Sequence, residues 1–294
     1  MEALFIGHAY TDITVVTDHM PTGDEKHVGE NYAFGVGGNA VVAAFTAAKF
    51  AINTDLIVQV GNDRLSDIFL QQCAKRGVRT FTRTTKRSSM SVVMPNNGKR
   101  AVLRCRDTDY LEEFPQVGLN SYAAVHVDGH QGDAALYYVK EAREQGILTS
   151  LDGGTMREHT EAILDYIDVA VVSELFCEKI GKDVEGTLKY LLDKGVKVAA
   201  VTQGDKGFTF TEGGEITSIP AIPLPQEDVV DSTGAGDIFH GAYMSSYLKH
   251  PEKSWKEHFC FARTASALSV QKLGTEASIP SLGEVEELAQ QHPC

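Results

Sequence analysis

Apolar and polar positions along this chain follow two alternating rhythms. Short runs such as ALFIG (3–7), DLIVQVG (55–61), AAVHVDG (123–129), ILTSLD (147–152), DVAVVS (168–173) and KVAAVTQG (197–204) are dense in β-branched or apolar residues and predict buried strands. Between them NAVVAAFTAAKF (39–50), LSDIFLQQCAKRG (65–77), AALYYVKEAREQG (134–146) and EGTLKYLLDKG (185–195) carry helical spacing, several closing on Gly. Such regular exchange predicts βα units on a mainly parallel sheet flanked by helices, an α/β fold.

Residues 12–34 and 88–106 break the alternation and show no helical pattern. The second reads as a hairpin, SVVMP then NNG then KRAVLRC, with Asn97 and Gly98 suited to positive φ. Both regions predict a small β-structured flap that leaves the main sheet. Another hairpin, FTFTEGGEITSIP (208–220), predicts an antiparallel edge. Beyond it VVDSTGAGDIFHGAYMSSYL (229–248) begins like a strand and ends like a helix, with only small residues and two carboxylates at the joint.

Composition narrows the function. The 294 residues are 43% hydrophobic and 23% charged, ordinary for a globular protein. Acidic residues outnumber basic ones 40 to 27, a formal charge of -13, which excludes the broad basic face of a nucleic-acid binder. Five irregularly spaced cysteines without a C-x-x-C pair fit a reduced, cytoplasmic protein. MEALFIG is too short an apolar run for a signal peptide, and no stretch approaches the ~18 apolar residues of a membrane span.

At the 229–237 joint, amides of small residues can approach an anion closely while the helix start adds positive potential. Asp237 in that first turn can act as a general base on a hydroxyl, or can simply complement the helix dipole. Residues alone leave the two open.

D-S-T-G-A-G-D-I-F at 231–239 resembles the C-terminal signature of the ribokinase or PfkB family of carbohydrate kinases, D-T-x-G-A-G-D-x-F. The resemblance extends through Gly7 to Asp12, GVGGNA (35–40), VGND (60–63), VTQGDKG (201–207) and the LG-x-x-x-SIP ending (273–280). It implies one ribokinase-like kinase domain over 1–294 with a β-sheet lid, and transfer of the γ-phosphoryl of ATP, with Mg²⁺, to a sugar hydroxyl. Asp237 becomes the base, and the amides of Gly234, Ala235 and Gly236 the anion hole. Asp12, expected at the C-terminal edge of the first strand, becomes a ligand for sugar hydroxyls.

Some positions depart from the family pattern. In G-G-x-x-x-N, aligned on Gly37 and Gly38, Val42 stands where the sugar-binding Asn belongs, and Asn39 takes a variable place from which it can still reach substrate. Thr202, Gly204 and Gly207 correspond to nucleotide contacts, and Arg263 to a position beside the adenine. The N-x-x-E motif that organises magnesium waters falls at 173–176, where Ser173, Glu174, Leu175 and Phe176 stand; Glu174 or Glu178 would substitute. Asp231, Thr233, Ser269, Gly274 and Ser278 match an oxygen-lined monovalent-cation site suited to K⁺, although Lys272 shares the loop.

Selectivity is expected from the flap and the strand ends facing it. Lys26, Arg104 and Arg106 would place positive charge over the far end of the acceptor, and Asp128, His130 and Gln131, at the end of AAVHVDG, would add polar contacts. On an acidic chain this hints at an anionic or strongly polar sugar. The pattern, including GDIFHGA (236–242) and Lys26, is similar to sulfofructose and neighbouring ketose kinases. The reading is a ketose or related sugar kinase acting on a primary hydroxyl, with an anionic-sugar kinase, a nucleoside kinase and a non-catalytic sensor as alternatives. Open lid edges predict a homodimer. No nucleic acid or membrane partner is expected.

Overall fold

The computed structural model describes residues 2–96 and 99–294; Asn97 and Gly98, expected to turn the flap hairpin, lie outside them. The chain begins β1 (Glu2–Gly7), β2 (Tyr10–Val16), β3 (Asn31–Gly37), α1 (Asn39–Lys49), β4 (Asn53–Val60), α2 (Arg64–Lys75), β5 (Arg79–Thr84), β6 (Met90–Asn96) and β7 (Lys99–Cys105). It continues β8 (Tyr122–Val127), α3 (Gly132–Glu144), β9 (Leu148–Gly153), α4 (Thr160–Leu164), β10 (Val169–Ser173), α5 (Glu174–Ile180), α6 (Val184–Asp193) and β11 (Val198–Thr202). The last elements are β12 (Phe208–Glu212), β13 (Glu215–Ile219), α7 (Ala235–Lys249), α8 (Trp255–Ser269) and α9 (Leu282–Gln291).

Among the described residues the main sheet runs β13-β12-β11-β10-β9-β8-β1-β4-β5. It is parallel from β11 to β5, and the β12–β13 hairpin forms the antiparallel edge. From β1 the chain adds strands first toward β5 and then, from β8, in the other direction. That reversal opens a crevice outside the strands' carboxyl ends, where ligands of open α/β sheets bind.

Alternate residues of each strand face opposite cores. Phe5, Val169 and Val171 join α1, α7 and α8 on one side; Leu4, Ile6, Ala170 and Val172 join α3 to α6 on the other. Helix α7 lies deep, between α1 and α8. A Cβ on Gly241 would stand 2.3 Å from the Ala43 carbonyl oxygen, so α1 and α7 touch through bare backbone. Phe259 of α8 sits among the rings of Phe208, Phe210, Phe239 and Tyr243, tying α7 to the antiparallel edge.

A second sheet, ordered β3-β2-β6-β7, forms the flap from the two regions that lack helical pattern. Its hairpins β2–β3 and β6–β7 are antiparallel, but they meet through a parallel β2–β6 pairing. Two sequence expectations need correction. Val229 and Val230 form no strand; instead the Val230 and Asp231 amides both donate to the Val270 carbonyl, laying the segment along the end of α8. The cysteines are not all thiols either, because α8 and α9 pack together and a disulfide joins Cys260 to Cys294, with Cα atoms 6.1 Å apart. Sequence spacing does not reveal that proximity. Among the described residues no helix is long and apolar enough to cross a membrane.

The core also holds ionisable rings. Burial lowers His8, His126 and His240 to about 3 and His258 to about 4, so the fold keeps them neutral. Since the unfolded chain binds those protons near pH 6.5, their contribution is intact above that pH and is lost as pH falls toward 3. Between pH 6.5 and 5 each costs about 2 kcal/mol. Urea unfolding should therefore show stability falling steeply across this window, and His126→Asn should reduce the loss by about that amount. Removing the ring of Phe259 as Phe259→Ala should lower stability at neutral pH by about 3–5 kcal/mol in the same assay.

Candidate active site

Gly234 caps α7 with φ 81°, and a Cβ there would meet Thr275 Cγ2 at 2.3 Å. Only glycine satisfies both the backbone turn and the neighbour. The first bond within the helix, from the Ile238 amide to the Gly234 carbonyl at 2.8 Å, leaves the amides of Ala235 and Gly236 outside the regular ladder. Ala235 N reaches only the Ser232 carbonyl, at 3.4 Å. Gly236 is exposed and Asp237 half-buried, so this helix start opens to solvent.

Asp12 faces it from the flap. Rather than closing the end of β1, it is the third residue of β2, paired across the flap with Gly35, because the flap strand begins only two residues after β1 stops. Its carboxylate accepts from Ser91 Oγ and, at 3.4 Å, from Thr275 Oγ1. A Cβ on Gly37 would stand 2.0 Å from Asp12 Oδ2, so that glycine makes room for the acid. Burial, together with nearby Asp231, pushes the Asp12 carboxyl above its ordinary range against the hydrogen bonds and the Arg104 charge. Thr275 thus touches both Asp12 and Gly234.

At the strand ends beneath, Gly38 (φ 116°) lets α1 begin against the His8 carbonyl, and Asn39 donates to Asp152 Oδ2 at 2.9 Å. Asp128 is held among backbone donors. Its buried carboxylate accepts the amides of His8 (3.2 Å), Ala40 (3.2 Å) and His130 (2.9 Å). Burial acts to raise it, but His130, Arg157 and the amide donor outweigh burial and hold it well below the carboxylate range. Gln131 Nε2 donates to the Gly7 carbonyl at 2.7 Å, and among the described residues its buried Oε1 has no hydrogen-bond partner. His130 is buried beside Asp128, with Nδ1 3.1 Å from Oδ1.

Three residues escaped the sequence reading. His240, one turn beyond Asp237 on α7, places Nε2 3.5 Å from Asp152 Oδ1, so Asp152 lies between α7 and Asn39. Burial raises the Asp152 carboxyl. Arg157 lies against Gly129, where a Cβ would meet its Cδ at 3.4 Å, and interacts electrostatically with Asp128, Asp152, Arg106 and Tyr10. Arg106 Nε donates to Tyr10 Oη at 2.7 Å and Arg104 lies 5.2 Å over the Tyr10 ring. Three arginines therefore gather around Tyr10 at the flap's base. Position at the carboxyl end of β9, or just after it, was the available signal for Asp152 and Arg157. Lys26 is exposed on the β2–β3 connection, and among the described residues no hydrogen bond or ion pair joins it to this group.

At the end of β10, Ser173 caps α5, accepting from Phe176 N at 3.4 Å and donating to the Gly154 carbonyl at 2.9 Å. Glu174 pairs with Lys206 at 3.1 Å, and Glu178 is exposed one turn further along. Thr202 donates to the Val172 carbonyl at 3.3 Å, while Gly204 (φ 59°) and Gly207 (φ 97°) turn the following loop. A Cβ on Gly207 would collide with the Ile219 carbonyl at 2.1 Å. Arg263 departs from the nucleotide-facing role: it is buried, and its guanidinium donates to the Pro220 (3.1 Å) and His292 (2.8 Å) carbonyls, bracing the hairpin exit against the chain after α9.

Behind the helix start, Asp231 accepts the amides of Thr233 (2.9 Å) and Gly274 (3.0 Å), joining two loops. Among the described residues Thr233 Oγ1, buried there, has no hydrogen-bond partner. Ser269 and Ser278 donate to the Ser266 and Thr275 carbonyls and keep acceptor lone pairs. Lys272 turns outward to Glu284, 3.6 Å away.

Known proteins share this architecture. The chain is 26% identical over 290 residues to ribokinase of Lactococcus lactis, spanning 96% of this chain and 94% of that one. The solved structure of ribokinase from Thermotoga maritima superposes with a TM-score of 0.83 at 22% identity, covering 98% and 99% of the two chains. Arabidopsis thaliana ribokinase, solved with ribose and ATP, gives a TM-score of 0.79 at 23% identity over 98% and 97%. Residues 2–282 match the description of the pfkB family carbohydrate kinases, and the chain belongs to that family.

Proposed function

We propose that the protein is an ATP-dependent kinase for a ketose or related sugar with an anionic or strongly polar far end, phosphorylating a primary hydroxyl. The observation that carries this reading is Thr275, which touches the acceptor-side carboxylate Asp12 and the α7 cap Gly234 together. An acceptor held by Asp12 would lie over the electropositive helix start. Asp237 would take the proton of the attacking hydroxyl as its oxygen bonds to the γ-phosphorus, the bond to the bridging oxygen breaks, and ADP leaves. The amides of Gly234, Ala235 and Gly236 would stabilise the charge on the moving phosphoryl oxygens.

Bound Mg²⁺ would screen the phosphates; Glu174, beside Lys206 on the nucleotide loop, is better placed to hold its waters than the outlying Glu178. Ser173, Thr202, Gly204 and Gly207 would line the nucleotide's path. Oxygen atoms of Asp231, Thr233, Ser269, Gly274 and Ser278 suit K⁺, since among the described residues Thr233 Oγ1 has no hydrogen-bond partner and Lys272 points away. Arg104, Arg106 and Arg157 around Tyr10 favour an anionic sugar, sulfofructose among the candidates, over a neutral nucleoside. Tyr32 (73% exposed) and Leu103 (65%) on the flap suit contact with a second copy of the chain.

Asp237→Asn should lower kcat by roughly 10² or more in an ATP-consumption assay across a panel of free and anionic ketoses, and unchanged turnover would remove Asp237 as the base. Changing Lys26 and Arg104 together to Ala should raise the sugar's KM far more than that of ATP; the opposite pattern would contradict an anionic acceptor held beneath the flap.

A further inference from the structure

Away from the crevice, α1, α2 and the loop before α9 enclose a cleft of about 430 Å³ lined by Phe45, Ala48, Lys49, Lys75, Arg76, Glu276 and Ile279. On an acidic chain this spot is basic, with three cations facing one carboxylate. Arg76 pairs with Glu276, stacks 4.8 Å over the Phe45 ring, and donates to Gln72. Lys49 donates to the Ile279 carbonyl at 2.6 Å. Burial lowers both Lys49 and Arg76, and for Lys49 the charges of Lys272 and Arg76 add to it while Glu284 opposes. Lys49 is thus both buried and crowded by like charge, a state that an added anion relieves.

We propose that this cleft binds a small phosphorylated anion, which takes over Arg76 from Glu276 and so regulates the active site. The charge count suits a dianion, because three cations against Glu276 leave two positive charges. Phe45, Ala48 and Ile279 offer an apolar wall for an organic remainder, in a volume that suits a small metabolite. The path to the site is short. Glu276 follows Thr275, the residue between Asp12 and Gly234, and its side chain packs where a Cβ on Gly35 would lie, 3.6 Å away. Gly35 in turn pairs with Asp12 across the flap. Arg76–Glu276 and Lys49–Ile279 are therefore two straps on the loop that positions the acceptor-side acid, and an anion loosens the first. The regulatory half rests on the kinase reading; the binding half does not.

Thermal unfolding of the full chain without ATP or sugar tests binding, with inorganic phosphate and a sugar phosphate compared against chloride at equal ionic strength. At twentyfold excess over its dissociation constant either probe should raise Tm by about 3 °C. A larger rise with the ester identifies an organic phosphate, and equal rises identify free phosphate. The exposed Lys75→Gln, combined with Lys49→Gln, should abolish the shift, whereas Glu276→Gln should tighten binding about tenfold by removing the internal competitor. Equal shifts in all variants would put the anion elsewhere and overturn the proposal, as would unchanged or weaker binding in Glu276→Gln. In turnover assays the probe should change the sugar's KM at least about threefold in the native protein and not in the variant carrying both Lys49→Gln and Lys75→Gln; binding without that change would overturn the regulatory half.

Discussion

The site depends on the contact between Thr275 and the bare backbone of Gly234. The methyl group of Thr275 fills the space a side chain would need at the cap of α7, and its hydroxyl reaches Asp12. One residue of a late loop thereby fixes the separation between an acid on the second strand and a helix start more than two hundred positions away. The loop is held from both ends, through the Gly274 amide on Asp231 and through Lys49 on the Ile279 carbonyl. Such contacts matter because positioning supplies much of the catalysis in phosphoryl transfer.

Buried charge does comparable work under the crevice. Asp128 gathers amides from the end of β1, the start of α1 and the turn after β8, so a single carboxylate joins the three elements where strand order reverses. Gly7 must lack a side chain for this, since a Cβ would stand 2.1 Å from Asp128 Oδ2. A buried carboxylate is tolerable only when its lone pairs are so fully used. Asp152, by contrast, accepts from the Asn39 side chain.

Much of the fold was legible because period-2 and helical patterns change over cleanly at each strand end, and the two regions lacking a helix became the flap. The helix start at 235 was legible because a run of small residues precedes an apolar helical pattern. Misreadings occurred where a local pattern had two physical uses. Asp128 and Gln131 sit at a strand end like ligands, yet the Asp128 carboxylate and the Gln131 amide nitrogen also bond the backbone of neighbouring elements, which no local pattern encodes. Arg263 and the Cys260–Cys294 pair depend on how α8 meets the chain after α9, which no spacing encodes. Arg157 and His240 went unnoticed since a lone Arg in a loop and a lone His in an apolar helix have no motif.

The flap's attachment carries a mechanical consequence. Only His8 and Ala9 separate β1 from β2, and Gln59 clamps Ala9 on both sides, accepting from its amide at 3.0 Å and donating to its carbonyl at 2.9 Å. The parallel β2–β6 seam fastens the two hairpins into one plate. A plate clamped at its root cannot swing like a door, so access to the crevice must come from flexing along its length, as a leaf spring yields at the tip while its base stays still.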